Sequence, residues 1–264
     1  SFAGPKRFFP PVIALNDLPK LDVILISHDH YDHLDYETVQ ALKDRNLKWF
    51  VPLGVGAHLK HWGVAKSQIV EFDWWEEQTI GDVRLIAVPA RHFSGRSLFF
   101  TDKNATLWSG WALVGKKRRV FYSGDTALHP EFRDIGERLG PFDVTLMETG
   151  AYNQLWCDVH LGPEQAVIAH QLVKGKTMIP VHWGLFDLAL HGWTEPAERI
   201  LQAATLMNVN VSLLAPGEQF SPGQTTPNDR WWAEQPWDTV EKAPVWSTNV
   251  EFLQKDYQQR LRKE

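Results

Sequence analysis

A single cysteine, Cys157, stands among 264 residues, so no disulfide can form within the chain and no thiolate zinc site can be built. Any metal must be held by nitrogen and oxygen. No apolar run approaches the roughly 18 to 20 residues of a membrane-spanning helix. Basic residues are not in excess: 27 Lys and Arg against 32 Asp and Glu leave a formal charge of -5 and a pI near 6.1. That balance gives no general attraction to nucleic acid. The one basic block, Lys116-Lys117-Arg118-Arg119, sits between two strand-like runs and reads as a solvated hairpin turn. Ser1 opens the sequence without an initiator Met or an apolar signal segment, which leaves room for a leader or an N-terminal strand upstream and leaves the compartment open.

What is present begins with 44% apolar content, enough to bury the core of one large α/β domain or two small ones. The densest chemistry lies in Ser27-His28-Asp29-His30-Tyr31-Asp32-His33, three histidines and two carboxylates within seven residues. The run before it, Leu21 to Ile26, is short, β-branched and apolar, and reads as a buried strand delivering the cluster to a sheet edge. Imidazole and carboxylate are ligands for zinc and similar divalent ions. Crowding them together without a cation is costly. The plainer alternative is a polar surface loop rich in histidine.

Strand-like runs at Asp22–Ile26, Lys48–Val51, Gln68–Phe72, Val83–Val88, Ser97–Thr101, Thr106–Val114, Val120–Ser123, Phe142–Met147, Lys176–Val181 and Val209–Leu214 interleave with helical patterns. The helices are expected over Tyr36–Asn46, capped by Asp35, and over Val55–His61, Pro130–Leu139, Pro163–Lys174 closed by Gly175, and Pro196–Met207. This mixture of hairpins and αβ units fits a four-layer αββα sandwich, two sheets inside two helical layers, better than one doubly wound sheet. His or Asp then recurs at three further strand ends: His92, Asp125 and His182, each beside Gly or Pro that lets the backbone aim the side chain. Seven candidate ligands result. His28, His30 and His92 are expected around one ion, Asp32, His33 and His182 around a second, with Asp125 bridging them.

With these positions in hand, the chain resembles the metallo-β-lactamase fold superfamily. Within it, Gly4-Pro5-Lys6-Arg7, Ser27 to Asp35, Phe50 to Gly54, Asp73-Trp74-Trp75-Glu76-Glu77, Gly124-Asp125-Thr126, Ile135 to Asp143 and His182-Trp183-Gly184 are similar to N-acyl-phosphatidylethanolamine phospholipase D and its bacterial relatives. The likeness runs from about Gly4 to Phe220 and departs around Arg91–Ser97 and Leu190–Trp193. It implies a metallo-β-lactamase-like hydrolase domain over residues 1–220 with two divalent ions, zinc before Fe, Mn or Ni, and a phosphodiesterase of the phospholipase D-like kind acting through a metal-bridging hydroxide. It also carries the seven ligands over to the positions named above. Small-molecule or phospholipid substrates are expected, no nucleic acid, and peripheral membrane contact and oligomerisation stay open. Asp32 is expected to hold a metal, orient the nucleophile and shuttle a proton. His160, matched to a family histidine near the phosphate, and His191 are expected to stabilise phosphoryl charge or protonate the leaving alkoxide.

Other readings stand beside this one. A lactonase or other carbon-ester hydrolase of the same superfamily needs the same ligands, and a noncatalytic metal-binding scaffold would keep the fold without turnover. His58, His61, His129 and His170 read as structural or surface residues, and Trp74 and Trp75 as packing beneath the site. Trp183, Phe186 and Trp193 could line an apolar mouth or simply pack. From Ser221 to Glu264 the chain becomes a tryptophan-rich extension ending in a charged stretch, expected to pack on the domain or on a partner.

Overall fold

The computed structural model describes residues 7–99, 101–223 and 230–263; Gly4, Pro5, Lys6 and Phe100 of the stretches named above lie outside these. In chain order the elements are β1 (Val23–Leu25), α1 (Tyr36–Leu42), β2 (Lys48–Pro52), α2 (Gly56–His61), β3 (Ile69–Phe72), β4 (Glu77–Ile80), β5 (Val83–Val88), β6 (Gly110–Gly115) and β7 (Arg119–Tyr122). There follow α3 (Glu131–Arg138), β8 (Phe142–Glu148), α4 (Pro163–Leu172), β9 (Gly175–Val181), α5 (Glu195–Met207) and α6 (Glu251–Leu261). Strands β1-β2-β3 form a parallel three-stranded sheet. Strands β4 to β9 form a six-stranded sheet in sequential order, antiparallel from β4 to β7 and parallel from β7 to β9.

Because side chains alternate faces along a strand, a strand buried on both sides splits its residues between two cores. In β2, Trp49 and Val51 join Val39, Leu42 and Leu59 of α1 and α2, whereas Phe50 faces Phe72, Leu85, Ala87 and Trp111 between the sheets. Across the large sheet, Leu85 and Ala87 of β5 turn inward, while Ile86 and Val88 meet Phe132, Ile135, Val167 and Ile200 from the outer helices. The result is helix, sheet, sheet, helix: the expected four-layer sandwich.

The differences from expectation have local causes. Ser97 is not in a strand, because the Asp102 carboxylate accepts the N–H groups of Arg96 (2.8 Å) and Ser97 (3.0 Å) and folds this segment into a turn. Over Val209–Leu214 there is no strand, only a single bridge from Val211 to Met178. The strand expected from Thr106 starts at Gly110, and α1 stops at Leu42, where Arg45 N–H closes a turn on the Leu42 carbonyl. Lys174, at φ 60°, takes the left-handed position after α4, and Gly175 opens β9 instead. Strand β4, whose Glu77 and Thr79 are exposed, gave too weak an alternation to be expected.

The C-terminal segment lies on the outer helical layer. Leu253 and Tyr257, one turn apart on α6, and Trp232 belong to the core that contains α4 and α5. Trp231 and Trp232 pack on Trp183, with ring centroids 5.2 and 5.4 Å away, and Trp193 lies 6.4 Å from Trp231.

Candidate metal centre

The chemistry gathers where strands end. Ser27 and His28 follow β1, His92 follows β5, Asp125 follows β7, Glu148 ends β8 and His182 follows β9. Trp111 Nε1 donates to the Ile26 carbonyl (2.9 Å) and Ser109 N–H to the Ser27 carbonyl (2.8 Å), which fixes the root of the histidine loop to the large sheet. Two glycines make the crowding feasible. A Cβ on Gly124, at φ +60°, would sit 2.7 Å from the Ser109 carbonyl, and one on Gly150 would sit 1.7 Å from the His182 carbonyl.

The seven expected residues converge in two sets. His28 Nε2 lies 2.9 Å from His30 Nδ1, which lies 3.2 Å from His92 Nε2. His33 Nε2 lies 3.2 Å from His182 Nε2, which lies 3.2 Å from Asp32 Oδ2. Asp125 stands between them: its Oδ2 is 3.0 Å from His33, 3.5 Å from His182, 3.7 Å from His28 and 3.9 Å from His92. The donor atoms within each set all lie within 4.8 Å of one another.

The tautomers and charges suit cation binding. His92 Nδ1 donates to the Val159 carbonyl (3.0 Å), so its proton is placed there and Nε2 carries the lone pair. His28 Nδ1 pairs with Ser27 Oγ at 3.0 Å. Burial holds His28 well below the usual imidazole range and pushes His92 down to about 3, so both are neutral imidazoles at neutral pH, the form that can bind a cation. Asp125 is also held well below the carboxylate range: burial opposes this, but His182 and His33 outweigh it. His33 goes the other way: burial opposes it, but Asp125 and Asp32 hold it well above the usual imidazole range, so a cation entering that set would displace its proton. Imidazole nitrogens and carboxylate oxygens turned toward one another make a donor set that fits divalent cations.

The loop is braced from outside. Asp29, buried, accepts from His58 Nε2 (3.2 Å), Gly95 N–H (2.8 Å) and Thr106 Oγ1 (3.0 Å). Arg96 Nη1 donates to the carbonyls of Asp29 (2.6 Å) and Leu34 (2.8 Å), and its guanidinium lies over Tyr31. His58 is therefore a support for the loop, while His129 and His170 are buried beside Phe132 and Thr145. Trp74 Nε1 donates to the Trp108 carbonyl (2.7 Å), and Trp108 Nε1 to that of Ala90 (2.9 Å), two residues before His92.

The two remaining candidates part company. His160 joins the centre: its Nδ1 is hydrogen-bonded to Glu148 Oε1 and lies 4.0 Å from Asp125 Oδ2. His191 does not. Its Nε2 lies 2.8 Å from the Gly150 carbonyl and its Nδ1 3.0 Å from the Gly192 carbonyl, and its ring stacks on Tyr152 at 4.0 Å, contacts that brace the backbone. Trp183, Phe186 and Trp193 likewise pack with Trp231, Arg7 and Phe8. Glu148 was not foreseen as a site residue. It is fully buried, accepts from Thr126 N–H, and burial together with Asp125 pushes its carboxyl well above the usual range. Its place at the end of a buried strand is the same signal that marks His92, Asp125 and His182.

Beside His92 and His160 opens a cavity of about 590 Å³, lined also by Phe93, Trp156, Val159 and Leu188, with Lys103 and Asn104 at its polar side. Leu98, Phe99, Leu155 and Leu190 are exposed on the segments that form this wall.

Fold and donor set define a domain of the metallo-β-lactamase fold. A family profile described as "Beta-lactamase superfamily domain" matches residues 1–183, and the chain belongs to that family. An uncharacterized protein of Mycobacterium tuberculosis is 47% identical over 233 residues, covering 87% of this chain and 62% of the relative. An "N-acyl-phosphatidylethanolamine-hydrolyzing phospholipase D 1" of Caenorhabditis elegans is 39% identical over 213 residues, covering 76% of this chain and 59% of its own length. The chain thus spans about three fifths of these relatives. Among solved structures, a metallo hydrolase from Ignicoccus hospitalis superposes with a TM-score of 0.59 at 21% identity, covering 76% of this chain and 81% of that one.

Proposed function

We propose that this chain is a metal-dependent phosphodiesterase of the phospholipase D-like kind. The observation that carries the reading is the position of Asp125 Oδ2, between 3.0 and 3.9 Å from histidines of both sets. On this reading His28, His30 and His92 hold one divalent ion, Asp32, His33 and His182 hold a second, and Asp125 serves both. When bound, such ions supply Lewis acidity toward a phosphoryl oxygen and lower the pKa of water toward neutrality. Zinc suits the nitrogen and oxygen donors, and Fe, Mn or Ni would be accepted by the same set.

The chain's own residues supply the rest. Asp32, at 25% side-chain exposure, reaches solvent and can accept a hydrogen bond from the attacking water. His160 lines the cavity with Nδ1 tied to the buried Glu148 carboxyl, so Nε2–H can pass its proton to the leaving alkoxide while the Glu148 proton moves to Nδ1. Phe93, Trp156, Val159 and Leu188 give the cavity an apolar wall suited to a lipid chain. The exposed Leu98, Phe99, Leu155 and Leu190 around it suit peripheral contact with a lipid surface. The worm relative is named for a substrate of the same class.

The test is turnover of bis-p-nitrophenyl phosphate and of a micellar N-acylated glycerophospholipid by the zinc-loaded protein, run beside a panel of lactones. Diester cleavage that disappears with chelator and in Asp125→Ala is expected. Lactone cleavage without diester cleavage would replace this reading with a carbon-ester hydrolase. Tight metal binding with no turnover of either would leave a scaffold.

A further inference from the structure

We propose that the C-terminal segment is a positioning part of the site, and that Thr248 and Asp158 set the mutual placement of His92 and His160. The two histidines come from different places in the fold: His92 follows β5, and His160 lies on the loop that leads into α4. Each has a charged neighbour close before it in sequence, Arg91 and Asp158. These two form an ion pair, Arg91 Nη2 to Asp158 Oδ1, at 3.0 Å.

By itself that pair is a weak tie, because both side chains are about one third exposed. Thr248 changes its character. Thr248 N–H donates to Asp158 Oδ1 (2.8 Å) and Thr248 Oγ1 to Oδ2 (2.6 Å), so both carboxylate oxygens are fixed from the C-terminal side. Arg91 Nη1 in turn donates to the carbonyls of Thr248 and Leu128, both at 3.2 Å. The guanidinium, the carboxylate and the threonine hold one another in a closed ring of hydrogen bonds.

Residue 248 is itself anchored by a buried polar network. Ser247 Oγ donates to the Cys157 carbonyl (2.6 Å) and accepts from Gln165 Nε2 (2.8 Å). Gln254 on α6 bonds both the N–H (3.2 Å) and the carbonyl (3.0 Å) of Ser247. Residues 247–248 therefore run beside Cys157 and Asp158 and grip the loop just before Val159 and His160. Val159 is the residue whose carbonyl accepts the hydrogen bond from His92 Nδ1. The C-terminal segment thus reaches His92 through Thr248, Asp158 and Val159, and His160 directly along the same loop; the ring centroids of His92 and His160 are 5.0 Å apart. Outer partners of ligating histidines set ring orientation and metal affinity.

The inference rests on His92 being a metal ligand, but its test does not need the phosphodiesterase reading. The full chain labelled with 15N-histidine is observed by NMR with and without zinc, and zinc affinity is measured by competition with a chelating indicator. Thr248→Val is expected to move or exchange-broaden the His92 Nδ1–H signal and to weaken zinc binding about tenfold, with Thr248→Ser restoring both. Asp158→Asn is the second variant: it keeps size and an acceptor but loses the charge, and should give the same two changes. An unchanged His92 Nδ1–H signal and zinc binding within about twofold in both variants would overturn the inference, leaving the segment as a packing element whatever the protein hydrolyses.

Discussion

The Glu148 carboxyl, with none of its surface exposed, is hydrogen-bonded to Nδ1 of His160 and accepts the N–H of Thr126, the residue after Asp125. One buried acid therefore orients the candidate proton donor and steadies the turn that presents Asp125, which lies between the two candidate sets. Removing it should separate orientation from substrate binding. Glu148→Leu is expected to lower kcat by about 100-fold with little change in KM, because His160 loses the partner that fixes its ring. Glu148→Gln keeps a hydrogen-bond partner for Nδ1 and should lose only about tenfold. Steady-state kinetics on a diester substrate reads both values, and a Leu variant within about twofold of the parent would remove the pair from the chemistry.

Acid lability offers a second measurement, at a residue away from the ligands. His170 on α4 is buried, bonded to Thr145 Oγ1 at 2.7 Å, and packed so that a Cβ on Gly175 would lie 2.4 Å from its ring. Burial pushes its pKa down to about 4. A lowered histidine pKa means that the unfolded chain binds the proton more readily. The penalty is absent above the unfolded value of about 6.5, grows as pH falls toward 4, and levels off below it. At about pH 4.5 it amounts to roughly 2.5 kcal/mol. Urea unfolding of the chelated protein and of His170→Asn should therefore show the variant less stable at about pH 8, by about 1 to 2 kcal/mol for lost packing, yet level or ahead at about pH 4.5. The other histidines are common to both proteins and cancel. Parallel stability curves across that window would refute the assignment.

The parts of the fold that could be read from the residues are those in which one short stretch carries its own explanation. Strands β2, β5, β7, β8 and β9 are largely buried, so each carries several apolar residues in close succession, and the turn residues after them show where side chains can be aimed. That is why His28 to His33, His92, Asp125 and His182 could be collected before any geometry was known. Glu148 carried the same strand-end signal but escaped because a glutamate there is common, and its complete burial is what sets it apart. For His191, nothing in its sequence neighbours reveals that it meets the Gly150 carbonyl and the Tyr152 ring. Helix α6 was hidden for a different reason: only Leu253, Gln254 and Tyr257 of it are buried, and the charged remainder reads like a solvated tail.

Arg199 gives the most demanding test of how the outer helical layer is held. It is fully buried on α5, donates twice to Glu164 on α4 (2.9 and 2.7 Å), once to Glu195 (3.3 Å) and once to the Ala243 carbonyl (3.0 Å), and lies over the Tyr152 ring at 5.2 Å. Tyr152 in turn donates to Glu195 (2.8 Å) and stacks on His191, so the network links both helices, the C-terminal segment and the brace near His182. Taking two charges out of water is expensive, and the attraction between them roughly repays it only while both are present. Arg199→Met should therefore cost about 3 to 5 kcal/mol, since it strands Glu164 without a cation in a dry interior. Glu164→Leu in the same chain should recover much of that loss, because no unpaired charge then remains on α4. Urea denaturation of the two single variants and the double variant measures the coupling. A single variant within about 1 kcal/mol of the parent would mean that water reaches Glu164 and that packing, not the ion pair, joins the two helices.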